Sequence, residues 1–159
     1  MVFRFSLFFI AFLLSVSCAE QKEQPEDENA YILFGHFYGF CMGEQCIEIF
    51  KLTDSELFED QKDQYPSSEE FYKGDFIKLD QEKFELVKSL KDNIPFELTQ
   101  EKNHVIGSPD VTDGGGVYFA IVNERGTKFW LIDQFDQNIP EYLKPFKDQI
   151  NQSISLIND

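Results

Sequence analysis

The densest local grouping of reactive side chains is Cys41-Met42-Gly43-Glu44-Gln45-Cys46, where four residues including a glycine separate two cysteines. A disulfide can close such a span, and in an oxidising compartment a structural bridge is the default use of a close cysteine pair. Redox pairs place two residues between their cysteines at a helix start, whereas these flank a turn. Zinc tolerates the cysteine spacing, but His36 and His104, the only two histidines, stand far apart in sequence. Cys41 with His104 is the nucleophile–base pair that the composition allows, although neither cysteine lies in a nucleophile motif. No metal site, cofactor or catalytic set is therefore assigned.

The second chemical feature is Asp110-Val111-Thr112-Asp113-Gly114-Gly115-Gly116. Phosphate loops need glycines that open a helix, commonly ending in Gly-Lys-Ser/Thr; here the following residues read as a strand and no lysine is present. Carboxylates with exposed carbonyls suit calcium better, though the regular alternation and final Glu of an EF-hand are missing. A tight turn leading into a strand explains the same residues. Asp110, Asp113, Gly114 and Gly115 are nonetheless the candidate ligand-binding residues, and a carboxylate-based enzyme using Asp110 and Asp113 is the alternative.

The third cysteine, Cys18, closes an export signal. Met1 to Arg4 carries one positive charge, Phe5 to Leu14 is almost unbroken apolar chain, and Ser15-Val16-Ser17-Cys18-Ala19 supplies small residues before polar chain begins. The apolar run is shorter than the roughly 20 residues that span a bilayer. An ordinary cut after Ala19 would discard Cys18. Alternatively, Leu14-Ser15-Val16-Ser17-Cys18 resembles the lipobox of bacterial lipoproteins, with Ser15 standing where the strongest examples have Leu. That resemblance implies cleavage before Cys18, a diacylglycerol on its sulfur and a membrane anchor. Glu20 to Asn29 is charged, contains Pro25 and offers no apolar residue for packing, as a spacer between lipid and domain requires. Acidic residues soon after the cysteine are similar to the outer-face address of some surface lipoproteins. The expected organisation is a signal peptide over 1–17, a lipid-anchored acidic tether over 18–29 and one globular domain over 30–159. The expected location is the bacterial cell envelope, in either membrane.

The chain has 159 residues, 29 acidic against 14 basic, with a net charge of -15. Loss of Arg4 with the leader makes the remainder more negative still. Such a surface repels phosphate backbones and anionic lipid head groups, which excludes nucleic acid as a partner class and leaves cations or a basic protein surface. The charge also serves simply to solvate a small extracytoplasmic domain. With 42% hydrophobic residues and 18 Phe, the chain has ample material for a core.

The elements that must position these residues follow from periodicity. Tyr31 to Tyr38 and Gln45 to Leu52 read as a hairpin, Leu57 to Glu59 and Phe76 to Leu79 as short strands, and Asp60 to Ser68 as a polar loop. Asp80 is a candidate N-cap for a helix with Phe84, Val87 and Leu90 on one stripe, ended near Pro95. Val117 to Val122 and Lys128 to Asp133 flank a turn at Arg125-Gly126, and in the second strand either Phe129 or Trp130 must face inward. Leu143, Phe146, Ile150 and Ile154 mark a last helix from about Lys144 to Ile157. The fold class expected is α+β: an antiparallel sheet of four to six strands with two helices packed on one face. This arrangement is similar to small bacterial lipoproteins and, in layout alone, to the emfourin-type protease inhibitors. Anchor, tether and compact domain together point to a non-catalytic binding domain with a possible protein partner. Calcium binding is a further alternative.

Overall fold

The computed structural model describes residues 30–159. The expected signal peptide, the expected lipidation site at Cys18 and the expected tether fall outside the described residues. The chain forms an α+β domain around one seven-stranded sheet. Its strands are β1 (Tyr31–Phe37), β2 (Ile47–Leu52), β3 (Leu57–Asp60), β4 (Phe76–Lys78), β5 (Val105–Ile106), β6 (Gly116–Asn123) and β7 (Gly126–Asp133). Their order across the sheet is β4-β3-β2-β1-β6-β7-β5. The helices are α1 (Gln81–Val87), α2 (Phe96–Gln100) and α3 (Lys144–Asn158).

Two expectations are corrected here. The sheet is mixed rather than wholly antiparallel, because β5 runs parallel to β7 through Val105↔Leu131 and Ile106↔Ile132. The count rises from the expected four to six strands to seven, and α2 adds a third helix. Both additions are short. Two residues of strand and five of helix carry no readable period: β5 exists through its pairing with the longer β7, and α2 buries only Leu98 in the core.

β1 is the central organiser, pairing antiparallel with β2 on one side and β6 on the other. Its alternation splits the core in two. Ile32 and Phe34 join Phe50, Leu52, Val117, Phe119, Trp130 and Ile132 beneath the helices, where Phe84, Val87, Leu98, Phe146, Ile150 and Ile154 close the layer. Leu33 and Phe37 point the other way, with Ile49, Tyr118, Ala120, Phe129 and Leu131. That second face is covered by the segment between β3 and β4, which lays Phe71 and Tyr72 on it. The choice posed by the sequence between Phe129 and Trp130 therefore dissolves: they are 7% and 1% exposed on opposite faces, because both faces are covered.

The covering segment is tied down by Asp60, a buried carboxylate at the end of β3. It accepts the Tyr72 hydroxyl at 2.5 Å and the backbone N–H groups of Asp63 and Asp75. Tyr118 in turn accepts the Tyr72 N–H at 3.1 Å. Burial raises the pKa of both tyrosines, and for Tyr72 the hydrogen bond to Asp60 raises it further. A folded-state pKa above the unfolded value favours the neutral phenol, so this stability is present below the unfolded value and lost as pH rises towards the folded one. We expect stability to hold to about pH 9 and then to fall beyond about pH 10 by about 1.4 kcal/mol per pH unit for each tyrosine. Urea midpoints across that range would read the fall, and Tyr72→Phe should make it shallower by about 1.4 kcal/mol per pH unit while Tyr118 keeps its share.

Candidate functional site

Three loops leave the sheet at one end. β1 ends at Phe37 opposite Ile47 and Gly116, and Gly116 pairs with Asp133 at the end of β7. The β1–β2 connection (38–46), the segment before β6 (107–115) and the segment after β7 (134–138) therefore meet there. Tyr31, where β1 begins, pairs with Val122 at the opposite end. At about 3.3 Å per residue the seven-residue strand separates these ends by about 20 Å.

Cys41 and Cys46 form a disulfide, with their Cα atoms 5.6 Å apart. Cys46 is buried in a single 3-10 turn (Glu44–Cys46) that leads into β2, while Cys41 is exposed. The loop is fastened at its base by Tyr38 N–H donating to Cys46 O at 2.9 Å. His36 Nε2 lies 3.0 Å from Gln45 O and also 3.0 Å from Glu48 Oε2. Glu48 is buried and its Oε1 accepts Asn158 Nδ2 at 2.8 Å. Its Oε2 is at ion-pair distance from the imidazole but receives no hydrogen bond, since His36 Nε2 is better directed at the carbonyl. His36 thus serves as a clasp between loop and strand.

Asp110 has turned inward. Its Oδ2 accepts Gly39 N–H at 2.9 Å and the Tyr65 hydroxyl at 2.8 Å, and its Oδ1 accepts Gly115 N–H at 3.0 Å. Burial and the hydrogen bond to Asp110 raise the Tyr65 pKa to about 12. A carboxylate spending both oxygens on protein donors is a brace between loops, the opposite of one kept open for a cation. Gly114 and Gly115 are spacers: a Cβ at Gly114 would sit 2.4 Å from the Phe135 ring, and one at Gly115, where φ is 71°, would sit 2.2 Å from the Tyr38 ring. Asp110, Thr112 and Asp113 also adopt positive φ, at 59°, 67° and 58°. For β-branched Thr112 that is a strained conformation.

The segment after β7 is fixed by two buried groups. Asp133 is fully buried and accepts Ser108 N–H, Phe135 N–H and Asn138 Nδ2. Lys147 of α3 donates to Gln134 O at 2.9 Å and to Asp136 Oδ1 at 2.6 Å. Burial pulls the Lys147 pKa down, but Asp136 and Asp148 more than offset it, leaving it raised; the same contact lowers that of Asp136.

On this braced framework large apolar side chains stand in water. Phe40 is 85% exposed and Met42 98%, both inside or beside the disulfide loop, while Val111, Phe135 and Tyr65 are exposed on the neighbouring segments. Leaving Phe40 and Met42 in water forgoes roughly 3–6 kcal/mol of transfer free energy. An open cavity of about 750 Å³ lies against the loop, lined by Tyr38, Phe40, Met42, Gln45, the disulfide and Asp113. Of the sequence-picked residues, Cys41, Cys46 and Asp113 come together here, Asp110, Gly114 and Gly115 support from behind, and His104 lies elsewhere. The His104 ring stacks on Phe129 at 4.3 Å, and its Nδ1 is 2.8 Å from Phe129 O beside β7. Cys41 has no free thiol, so the Cys41–His104 pair has no nucleophile. No group of three or more His, Cys, Asp or Glu placed to hold a metal ion occurs among the described residues. Phe40 and Met42 were not legible as exposed because apolar residues close to a strand resemble core; their only signal was their position beside and inside a short cysteine-closed turn.

Opening the ring by Cys41→Ser with Cys46→Ser should lower stability by about 2 kcal/mol on the chain-entropy account. A reduced urea midpoint with unchanged far-UV circular dichroism would confirm a local brace.

Comparison with protein-family models and with curated proteins finds no match to this chain.

Proposed function

We propose that this chain is a lipid-anchored extracytoplasmic binding domain, without catalytic activity, that presents its disulfide loop to a protein partner. The observation that carries the reading is the placing of Phe40 and Met42. They are held in water at the end of the sheet remote from Tyr31, the residue nearest the tether. A domain anchored through Cys18 would then turn this end away from the bilayer. Exposed apolar side chains on a disulfide-closed loop suit an apolar pocket on another protein, because the braced backbone has less freedom to lose on docking. The net charge of -15 favours a partner with a basic rim around that pocket. The same charge disfavours nucleic acid.

Two measurements test the reading separately. Intact mass of the native protein from the membrane fraction should give a chain beginning at Cys18 with a lipid-sized addition; an unlipidated chain beginning at Glu20 would remove the anchor. A photo-reactive methionine analogue at Met42, activated in intact cells, should give one defined protein adduct that disappears with Phe40→Ala. An equivalent probe at Leu156, exposed on α3, should give none. Adducts no different from that control would overturn the binding role.

A further inference from the structure

The opposite end of the sheet carries a feature the loop site does not use. Between α2 and the β6–β7 turn lies a cleft of about 470 Å³, lined among others by Phe96, Thr99, Ile121, Arg125 and Lys128. In a chain with 29 acidic and 14 basic residues, none of the residues lining this cleft is acidic and two are cations. Lys128 is positioned by its Nζ donating to Thr99 O at 2.6 Å. Arg125 lies in the turn between paired Asn123 and Gly126, exposed, and its guanidinium has no ion pair among the described residues. Phe96, the first residue of α2, is 73% exposed at the cleft's rim. Val122, between the lining residues Ile121 and Asn123, pairs with Tyr31, so the cleft opens where the tether joins the domain.

We infer that this cleft seats the phosphate head group of an anionic phospholipid in the bilayer to which the chain is anchored. Arg125 and Lys128 pair with the phosphate, and the Phe96 ring lies at the boundary with the acyl chains. Head groups fit a cleft of this size, and aromatic rings with basic neighbours are the combination that membrane interfaces favour. At physiological salt carboxylates beyond about 8 Å are largely screened, so the ones that the two cations must offset are Glu97 and Glu124, next to Phe96 and Arg125 in the chain. The inference rests on the anchored reading above and adds an orientation to it: the domain stands on its cleft end, and Phe40 and Met42 face outwards.

The test uses the lipidated chain in nanodiscs of phosphatidylcholine, with and without phosphatidylglycerol, read by amide hydrogen exchange. Exchange over 96–100 and 121–128 should slow by about tenfold when phosphatidylglycerol is present, as expected for two basic side chains at an anionic surface. The loop over 39–46 should be unaffected, and Arg125→Glu or Phe96→Ser, both at exposed positions, should abolish the protection. Equal exchange in the two bilayers would overturn the inference. Failure of the anchor alone is recognised separately, as a chain that does not stay with the nanodiscs. The Cys18→Ser chain mixed with phosphatidylglycerol vesicles then still reads the cleft: protection supports it and no protection overturns it. Equal protection of that chain by glycerol phosphate without vesicles would assign the cleft to a soluble phosphate and overturn the bilayer as its source.

Discussion

Asp133→Ala should destabilise the domain by about 2–4 kcal/mol, because a fully buried acceptor that ties together three donors of the adjoining segments is removed. Ser108 N–H and Asn138 Nδ2 would be left facing a methyl group at 2.8 and 2.7 Å from where an oxygen stood, and Phe135 N–H would follow. The surroundings have little room to adjust, since a Cβ at Gly107 would already lie 2.6 Å from the Asp133 Cβ. Asp133→Asn should fall between wild type and alanine, as its NH2 group must confront one of the donors. Equilibrium unfolding in urea reads the stability, and limited proteolysis reads where it is lost. Cleavage should appear first in 107–115 and 134–138, the segments that Asp133 ties together. A loss under about 1 kcal/mol would mean that the donors find other acceptors.

The same residue illustrates what the sequence could and could not reveal. Asp133 reads as the polar end of a strand, and nothing in its neighbours announces that Ser108, 25 positions away, joins the nearby Phe135 and Asn138 in donating to it. The strands themselves were legible: alternating β-branched and aromatic residues marked β1, β2, β6 and β7, and the apolar stripe of α3 placed it over Lys144–Asn158 against an expectation of Lys144 to Ile157. Periodicity is a local signal, so it fails where structure is imposed from outside. Val105–Ile106 becomes a strand through pairing with β7, and Phe71 and Tyr72 become core because Asp60 holds their segment against the sheet. A polar segment (61–75) whose only apolar bulk is Tyr65, Phe71 and Tyr72 contains too few apolar positions to be read as a covering layer.

The candidate site divides along the same line. The cysteine pair was legible as a bridge from spacing alone, and the structure forms it. Asp110 was legible as a carboxylate among glycines, the composition of a ligand loop. Its actual contacts to Gly39, Tyr65 and Gly115 come from residues 71, 45 and 5 positions away, so only the fold reveals that it faces inward. Asp80 stands at the expected N-cap of α1, yet its side chain makes no capping hydrogen bond. Local chemistry named these residues; long-range contacts decided what they do.

Phe40→Ala together with Met42→Ala should leave the fold intact and weaken the proposed partner's binding by at least about 100-fold. Both side chains are almost wholly in water, so truncation removes no core contact and folded stability should change by less than about 0.5 kcal/mol. In a complex the same side chains would be buried, and interface anchors typically contribute about 2 kcal/mol or more each. The effect should fall on the dissociation rate, while a charge change at nearby Asp113 should act mainly on association and its salt dependence. Surface plasmon resonance against the partner identified through Met42 separates these terms, with urea unfolding of each variant as control. Opening the Cys41–Cys46 ring while keeping Phe40 and Met42 should give an intermediate loss, since the anchors remain but must be ordered on binding. If the double variant bound normally, the exposed pair would not be the contact. If it bound weakly only because it unfolded, the urea midpoint would move with it. A large loss of affinity at an unchanged midpoint is the outcome that distinguishes a presented binding loop from a surface that merely tolerates apolar residues.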